Sequence, residues 1–121
     1  MTTVAVWVGV GLCGGLGAVL RLLVDGAVGR RSAGPFPYGT LLVNVSGAFV
    51  LGLLDGIVLP KDAALIVGTG VIGAYTTFST WMYETQRLGE ERQLRVGLAN
   101  IWVSTLCGVA AAALGLWLGG L

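Results

Sequence analysis

Histidine is absent from this chain, and cysteine occurs only twice. Without histidine there is no imidazole for a Ser-His-Asp arrangement and no histidine ligand for zinc. Cys13 and Cys107 both fall inside long apolar runs. There they read as small packing residues rather than a disulfide or a metal pair. No phosphate-binding glycine loop is present either, so enzyme chemistry has little to stand on. Charge is scarce too: 11% of the residues are charged and the formal net charge is +1. That excludes the basic surface expected of a nucleic-acid binder.

What is abundant is apolar surface. Of the 121 residues, 55% are hydrophobic, more than a single soluble core of this size can bury but suited to a helical membrane protein. A span needs about 20 residues, so four nearly exhaust the chain. The apolar runs place them at Val4–Val24, Thr40–Leu59, Ala63–Tyr83 and Val96–Gly119. The expected fold is therefore one all-α membrane domain over residues 1–121, with four transmembrane helices, in the cell (plasma) membrane. The first run follows Met1-Thr2-Thr3 with no positive segment before it, and reads as a retained span rather than a cleaved signal.

Polar residues inside these spans carry the functional signal. The third span holds Gly68, Gly70 and Gly73, followed by Thr76, Thr77, Ser79 and Thr80. Two readings of this pattern stand. The helix is interrupted at membrane depth, freeing carbonyls that can hold an ion, or the hydroxyls bond back to the preceding turn of an unbroken helix. In the second span Thr40 and Asn44 are i,i+4 and share a face, with Gly47 near it. Asn44 in hydrocarbon must find partners, either along a polar path or as glue between helices. Asn100 and Ser104 share a face of the fourth span in the same way. In the first span, Gly11 and Gly15 form a small-xxx-small pair that allows close helix approach. Arg21, about one turn from that span's end, suits snorkelling to the headgroups. A loop is expected over Asp25–Tyr38, and Arg87–Glu91 is positioned for an i,i+4 pair.

Taken together, these segments resemble the Fluc (CrcB) family of fluoride ion channels. Gly14, Gly17, Ala18 and Arg21 match the family's first-helix pattern. Gly39, Thr40, Leu41, Val43, Asn44, Gly47, Phe49 and Gly52 match its second, and Gly73 with Thr-Thr-Phe-Ser-Thr and Glu84 its third. The resemblance implies a fluoride-selective passive channel that exports fluoride and relieves its toxicity. It implies an antiparallel dimer of dual-topology type, with two pores at the subunit interface and a third helix broken at mid-membrane. It also implies a structural sodium ion at the dimer centre, held by the backbone carbonyls of Gly73 and Thr76. The pore residues it implies are Arg21, Thr40, Asn44, Phe78, Ser79, Thr80, Trp81 and Ser104. Two departures concern pore shape: Trp81 stands where the family has a second phenylalanine, and Ala74 where glycine is common. Asn100 takes a position where the family often has tyrosine. The competing reading, a proton-coupled exporter of the small multidrug resistance type, requires an acidic residue in the first span, and Val4–Val24 contains none.

The charges also predict orientation. Arg30, Arg31, Arg87, Arg92 and Arg95 lie on or near one side of a four-span chain, and Lys61 on the other. The positive-inside rule then puts the first and third loops in the cytoplasm and both termini outside. A chain held in one orientation cannot make an antiparallel pair with itself. A heterodimer with a homologous chain of opposite bias is expected, the homodimer being the alternative if assembly or lipid overrides the bias.

Overall fold

Long apolar runs with few breakers make helices, and each end is marked by a local device. The computed structural model describes residues 2–121. Helix α1 spans Thr3–Arg31 and is capped by the Thr2 hydroxyl, which accepts the Ala5 N–H at 3.2 Å. It ends at Ser32, whose hydroxyl donates to the Val28 carbonyl at 2.7 Å. Helix α2 spans Tyr38–Ile57 and stops where Val58 turns left-handed, at φ 61. The third span is composite, running α3 (Lys61–Ala64), a π-helical segment (Leu65–Ile72), α4 (Gly73–Tyr75) and α5 (Ser79–Glu90). Helix α6 spans Leu94–Gly119. Four stretches, Thr3–Arg31, Tyr38–Ile57, Lys61–Glu90 and Leu94–Gly119, are long and apolar enough to cross a membrane.

The expected loop at Asp25–Tyr38 is much shorter than its sequence suggests. Helix α1 continues through Asp25 to Arg31, because nothing before the prolines at 35 and 37 forbids it. Arg30 and Arg31 in the last turn also favour the helix's negative end. At about 1.5 Å per residue, the 29 residues of α1 reach about 44 Å, beyond a hydrocarbon core about 30 Å thick. Arg21 therefore lies well inside the helix rather than one turn from its end. An acidic residue, Asp25, also falls within the first helix.

Close packing within the chain uses some of the first-span glycines and not others. Gly11 and Gly15 face open space, with no described atom within 4 Å of a side chain built there. Helix α1 instead meets the π-helical segment through Gly14 and Gly17. A Cβ on Gly17 would collide with the Val71 carbonyl, and one on Gly14 would touch the Gly70 carbonyl and Ala74. The pair that packs is set by the helix period, which puts Val10, Gly14 and Gly17 on one face and Gly11 and Gly15 beside it. A second close contact joins α2 to α6. A Cβ on Gly52 or Gly56 would strike the Ala112 or Leu116 carbonyl, and one on Gly115 or Gly119 the Phe49 or Leu53 carbonyl. Two Gly-xxx-Gly pairs thus interlock, as expected where lipid gives no hydrophobic drive for association. Cys13 is half-buried, with its Cβ 3.6 Å from a Cβ built on Gly70, whereas Cys107 faces outward.

The α2–α6 contact predicts an asymmetry among glycines. Gly115→Val forces a side chain against the Phe49 carbonyl and should cost about 1–3 kcal/mol of stability. Gly108→Ala, where no described atom lies within 4 Å, should leave stability unchanged or raise it. The midpoint of thermal unfolding in detergent checks both.

Candidate functional site

The third span bends where its hydrogen bonds are diverted. After α4, Thr76 takes an extended conformation, φ −79 and ψ 160. Its N–H still bonds the Ile72 carbonyl at 3.0 Å, and its hydroxyl donates to the same oxygen at 3.1 Å. Thr77 does not continue the helix. Its N–H donates to Asn44 Oδ1 and its carbonyl accepts from Asn44 Nδ2, both at 2.8 Å. The Thr80 N–H donates to Thr77 Oγ1 at 3.2 Å, so Thr77 caps the start of α5. In an unbroken helix the Thr77 and Thr80 amides would bond the carbonyls of Gly73 and Thr76. Both amides are engaged elsewhere, which leaves lone pairs on those two oxygens. The two sequence readings of this segment combine: one hydroxyl bonds back to the preceding turn, and the helix is interrupted one residue later.

Upstream of the bend the span is already loosened. The Gly73 N–H reaches back to the Gly68 carbonyl, an i→i−5 bond that closes the π-helical segment. Such wide turns concentrate at functional positions. Helix α2 then lays one face along the bend. Thr40 donates its hydroxyl proton to Glu84 Oε1, Asn44 clasps Thr77, and a Cβ on Gly47 would press on the Thr76 methyl. Ser46 and the Tyr75 hydroxyl share a hydrogen bond at 2.9 Å.

Two cavities meet at Thr77. One, of about 200 Å³, is lined by Arg21, Leu22, Asp25, Thr40, Val43, Thr77 and Thr80. The other, an open groove of about 330 Å³, is lined by Asn44, Gly47, Ala48, Leu51, Thr76, Thr77, Phe78 and Trp81. Arg21 Nε is buried with no hydrogen-bond partner among the described residues. A donor left in that condition is costly unless something fills the cavity. Phe78 is exposed and meets Trp81 edge-to-face, with ring centroids 5.8 Å apart and planes at 84°.

Of the residues singled out from the sequence, Arg21, Thr40 and Thr80 share the first cavity, and Asn44, Phe78 and Trp81 the second. Thr76 lines the second, with Gly73 exposed on the neighbouring turn. Ser79 is exposed and lines neither cavity. Ser104 is buried away from both, donating to Asn100 Oδ1 at 3.3 Å. Asn100 is the hub of this separate network. It is fully buried, its amide donates to Thr85 Oγ1 at 2.9 Å, and its backbone carbonyl accepts the Trp81 indole N–H at 3.2 Å. Thr85 in turn donates to the Trp81 carbonyl at 2.9 Å. Thr77 and Thr85 are residues that sequence reasoning left without a task. Thr77 was visible only as one hydroxyl in a run of four. The Arg87–Glu91 pair forms at 3.3 Å on the exposed end of α5.

A four-span helical membrane protein whose third span bends beside an asparagine is the class these features define. The family described as CrcB-like protein, Camphor Resistance (CrcB), matches residues 8–116. The chain is 68% identical to a protein of Mycolicibacterium paratuberculosis called fluoride-specific ion channel FluC 2, over 95% of this chain and 94% of that one. It is 66% identical to the FluC 2 protein of Mycobacterium tuberculosis, covering 96% and 92%. It is also 48% identical to the FluC 1 protein of Leifsonia xyli subsp. xyli, covering 93% and 85%. The chain belongs to the CrcB/FluC family, a family of fluoride channels and not of enzymes.

The Asn100 network makes its own prediction. Asn100→Ala leaves the Ser104 hydroxyl without its acceptor and the Thr85 hydroxyl with the Trp81 carbonyl alone, and should cost about 1–3 kcal/mol. Trp81→Phe removes one indole N–H bond and should cost about 1 kcal/mol. Unfolding midpoints of the two variants give the order.

Proposed function

We propose that this chain forms a passive, fluoride-selective channel in the cell membrane that lets fluoride out and relieves its toxicity. The observation that carries the reading is the pair of cavities meeting at Thr77, with Arg21 at one end and Asn44 and Phe78 at the other. The names of its relatives support fluoride as the ion. Fluoride is small and strongly hydrated, so a pathway must offer donors in place of water. Arg21 contributes an unpartnered guanidinium N–H. Asn44 uses one amide N–H on Thr77 and keeps the second. Thr80 lines the cavity it shares with Arg21 and brings a hydroxyl there, and Ser79, which lines neither cavity, offers its hydroxyl only from the exposed surface. Phe78 presents a ring whose edge is electropositive. Thr40 and Ser104 serve only if an ion displaces their present acceptors, Glu84 and Asn100. Trp81 narrows the groove that a smaller ring would leave wider.

The site also fits a sodium ion. The Gly73 and Thr76 carbonyls have lost their helical donors, and backbone oxygens are the ligands a hard cation prefers. When bound, the ion would satisfy those oxygens and pin the bend. In the proposed assembly two chains meet antiparallel, with the two bends at the centre. The arginine bias gives this chain one orientation, with Arg30 and Arg31 cytoplasmic, so the partner we favour is a homologous chain of opposite bias.

Three measurements test this reading. Liposomes containing the purified chain, with or without its homologue, should pass fluoride and exclude chloride without a proton gradient. Equal flux of both anions, or a strict need for protons, refutes it in favour of a transporter. Asn44→Asp places a carboxylate beside the path and should cut fluoride flux by a factor on the order of 100 or more. Phe78→Ile should reduce flux, and Trp81→Phe should preserve or raise it. A reporter fused to the C-terminus should read outside only; equal signal from both sides, with flux from this chain alone, establishes the homodimer instead.

A further inference from the structure

The bend is held open largely by one residue that the family resemblance leaves without a role. We propose that Thr77 is the positioning residue of the cation site: its backbone and its hydroxyl together keep the Gly73 and Thr76 carbonyls from closing back into the helix. The proposal rests on the reading of a sodium ion at those carbonyls. The geometry is that of two intercepted hydrogen bonds. The amide that would close on Gly73 belongs to Thr77 itself, and Asn44 holds it, accepting the Thr77 N–H while donating to the Thr77 carbonyl. The amide that would close on Thr76 belongs to Thr80, and the Thr77 hydroxyl accepts it. Thr76 does not compete, because both its N–H and its hydroxyl are turned back on the Ile72 carbonyl.

This arrangement separates two tasks that fall on neighbouring residues. Thr76 contributes an oxygen, and Thr77 keeps that oxygen, and the one at Gly73, uncommitted. Carbonyls released in a membrane interior need another electropositive partner. Gly73 is exposed on the chain surface, so a ligand can approach. Removing the Thr77 hydroxyl frees the Thr80 N–H, and the acceptor it would have in an unbroken helix is the Thr76 carbonyl, one helical turn back. The site then loses one oxygen while the fold loses little.

Sodium-dependent thermal stability reads this role without measuring flux. The purified chain, in its working assembly in detergent, is titrated with sodium chloride against choline chloride at constant ionic strength. The wild-type midpoint should rise with sodium. In Thr77→Val, which keeps the shape and loses the hydroxyl, the sodium concentration giving half the rise should increase about tenfold. Thr77→Ser, which restores the acceptor, should stay within about twofold of wild type. Thr77→Ala carries the same comparison if the valine variant does not fold. A wild type that responds to sodium, with Thr77→Val and Thr77→Ala titrating identically to it, overturns the role of Thr77 alone. A wild type indifferent to sodium overturns the sodium reading, and this role with it.

Discussion

The pairing of the Asn44 side chain with both main-chain polar groups of Thr77 is the constraint on which the rest of this structure depends. A primary amide can give and take at once in this way, matching the N–H and C=O edge of one residue. In water such a pairing competes with solvent on equal terms. In a membrane interior there is no such competitor, so an exposed peptide and an asparagine have each other as the natural solution. The consequence reaches along α2. Thr40 falls one turn before Asn44 and meets Glu84, and Gly47 falls nearly one turn after it and admits the Thr76 methyl. The interlocked glycines of α2 and α6 hold the far end of the same helix, so the amide is presented from a fixed rod.

Much of this was legible in the sequence, because membrane helices announce themselves by composition and because a polar residue in an apolar run has few explanations. The four spans could be read from apolar length, and the Gly/Thr pattern marked where the third span could break. What the sequence left open was choice among partners. Asn44 admitted a polar path or interhelical glue, and the structure has it bonding the bend with one N–H to spare. Hydroxyl back-bonding and helix interruption were alternatives on paper and are adjacent events in space, at Thr76 and Thr77. The loop expected from Asp25 onward begins only after Arg31, because Asp25, Arg30 and Arg31 sit on helical turns beyond the apolar run and the breakers, Gly34, Pro35 and Pro37, come later. The Gly11–Gly15 pair has the right spacing and meets no helix of its own chain. Spacing identifies a face, but only the neighbour decides which face is used. The Gly52, Gly56, Gly115 and Gly119 contact could not be read from either helix alone, since it is a property of the pair.

The departures from the family pattern are linked physically. Trp81 brings an N–H that phenylalanine lacks, and a buried N–H needs an acceptor. It finds one on α6 at the backbone of Asn100, whose side chain closes the circuit through Thr85 and Ser104. Trp81, Thr85, Asn100 and Ser104 thereby satisfy one another in a network that meets the cavities at Thr77 only through Trp81. The large ring beside Phe78 is tied at its far edge to another helix, which fixes its orientation more firmly than packing alone would.

The bend also bears on how the chain is assembled during synthesis. Helix α2 leaves the ribosome before residues 76–78 exist, and α6 is made last. When α2 first reaches the membrane, the Asn44 amide has no Thr77 to bind and the glycine face at Gly52 and Gly56 has no helix against it. Both wants are met only by later segments, one in the middle of the third span and one near the end of the fourth. An early α2 is therefore a span with an unsatisfied amide and an unfilled groove, a form for which chaperoning by translocon or lipid matters most. Completion comes from the far end of the sequence: the last helix to be made locks the rod that holds the bend.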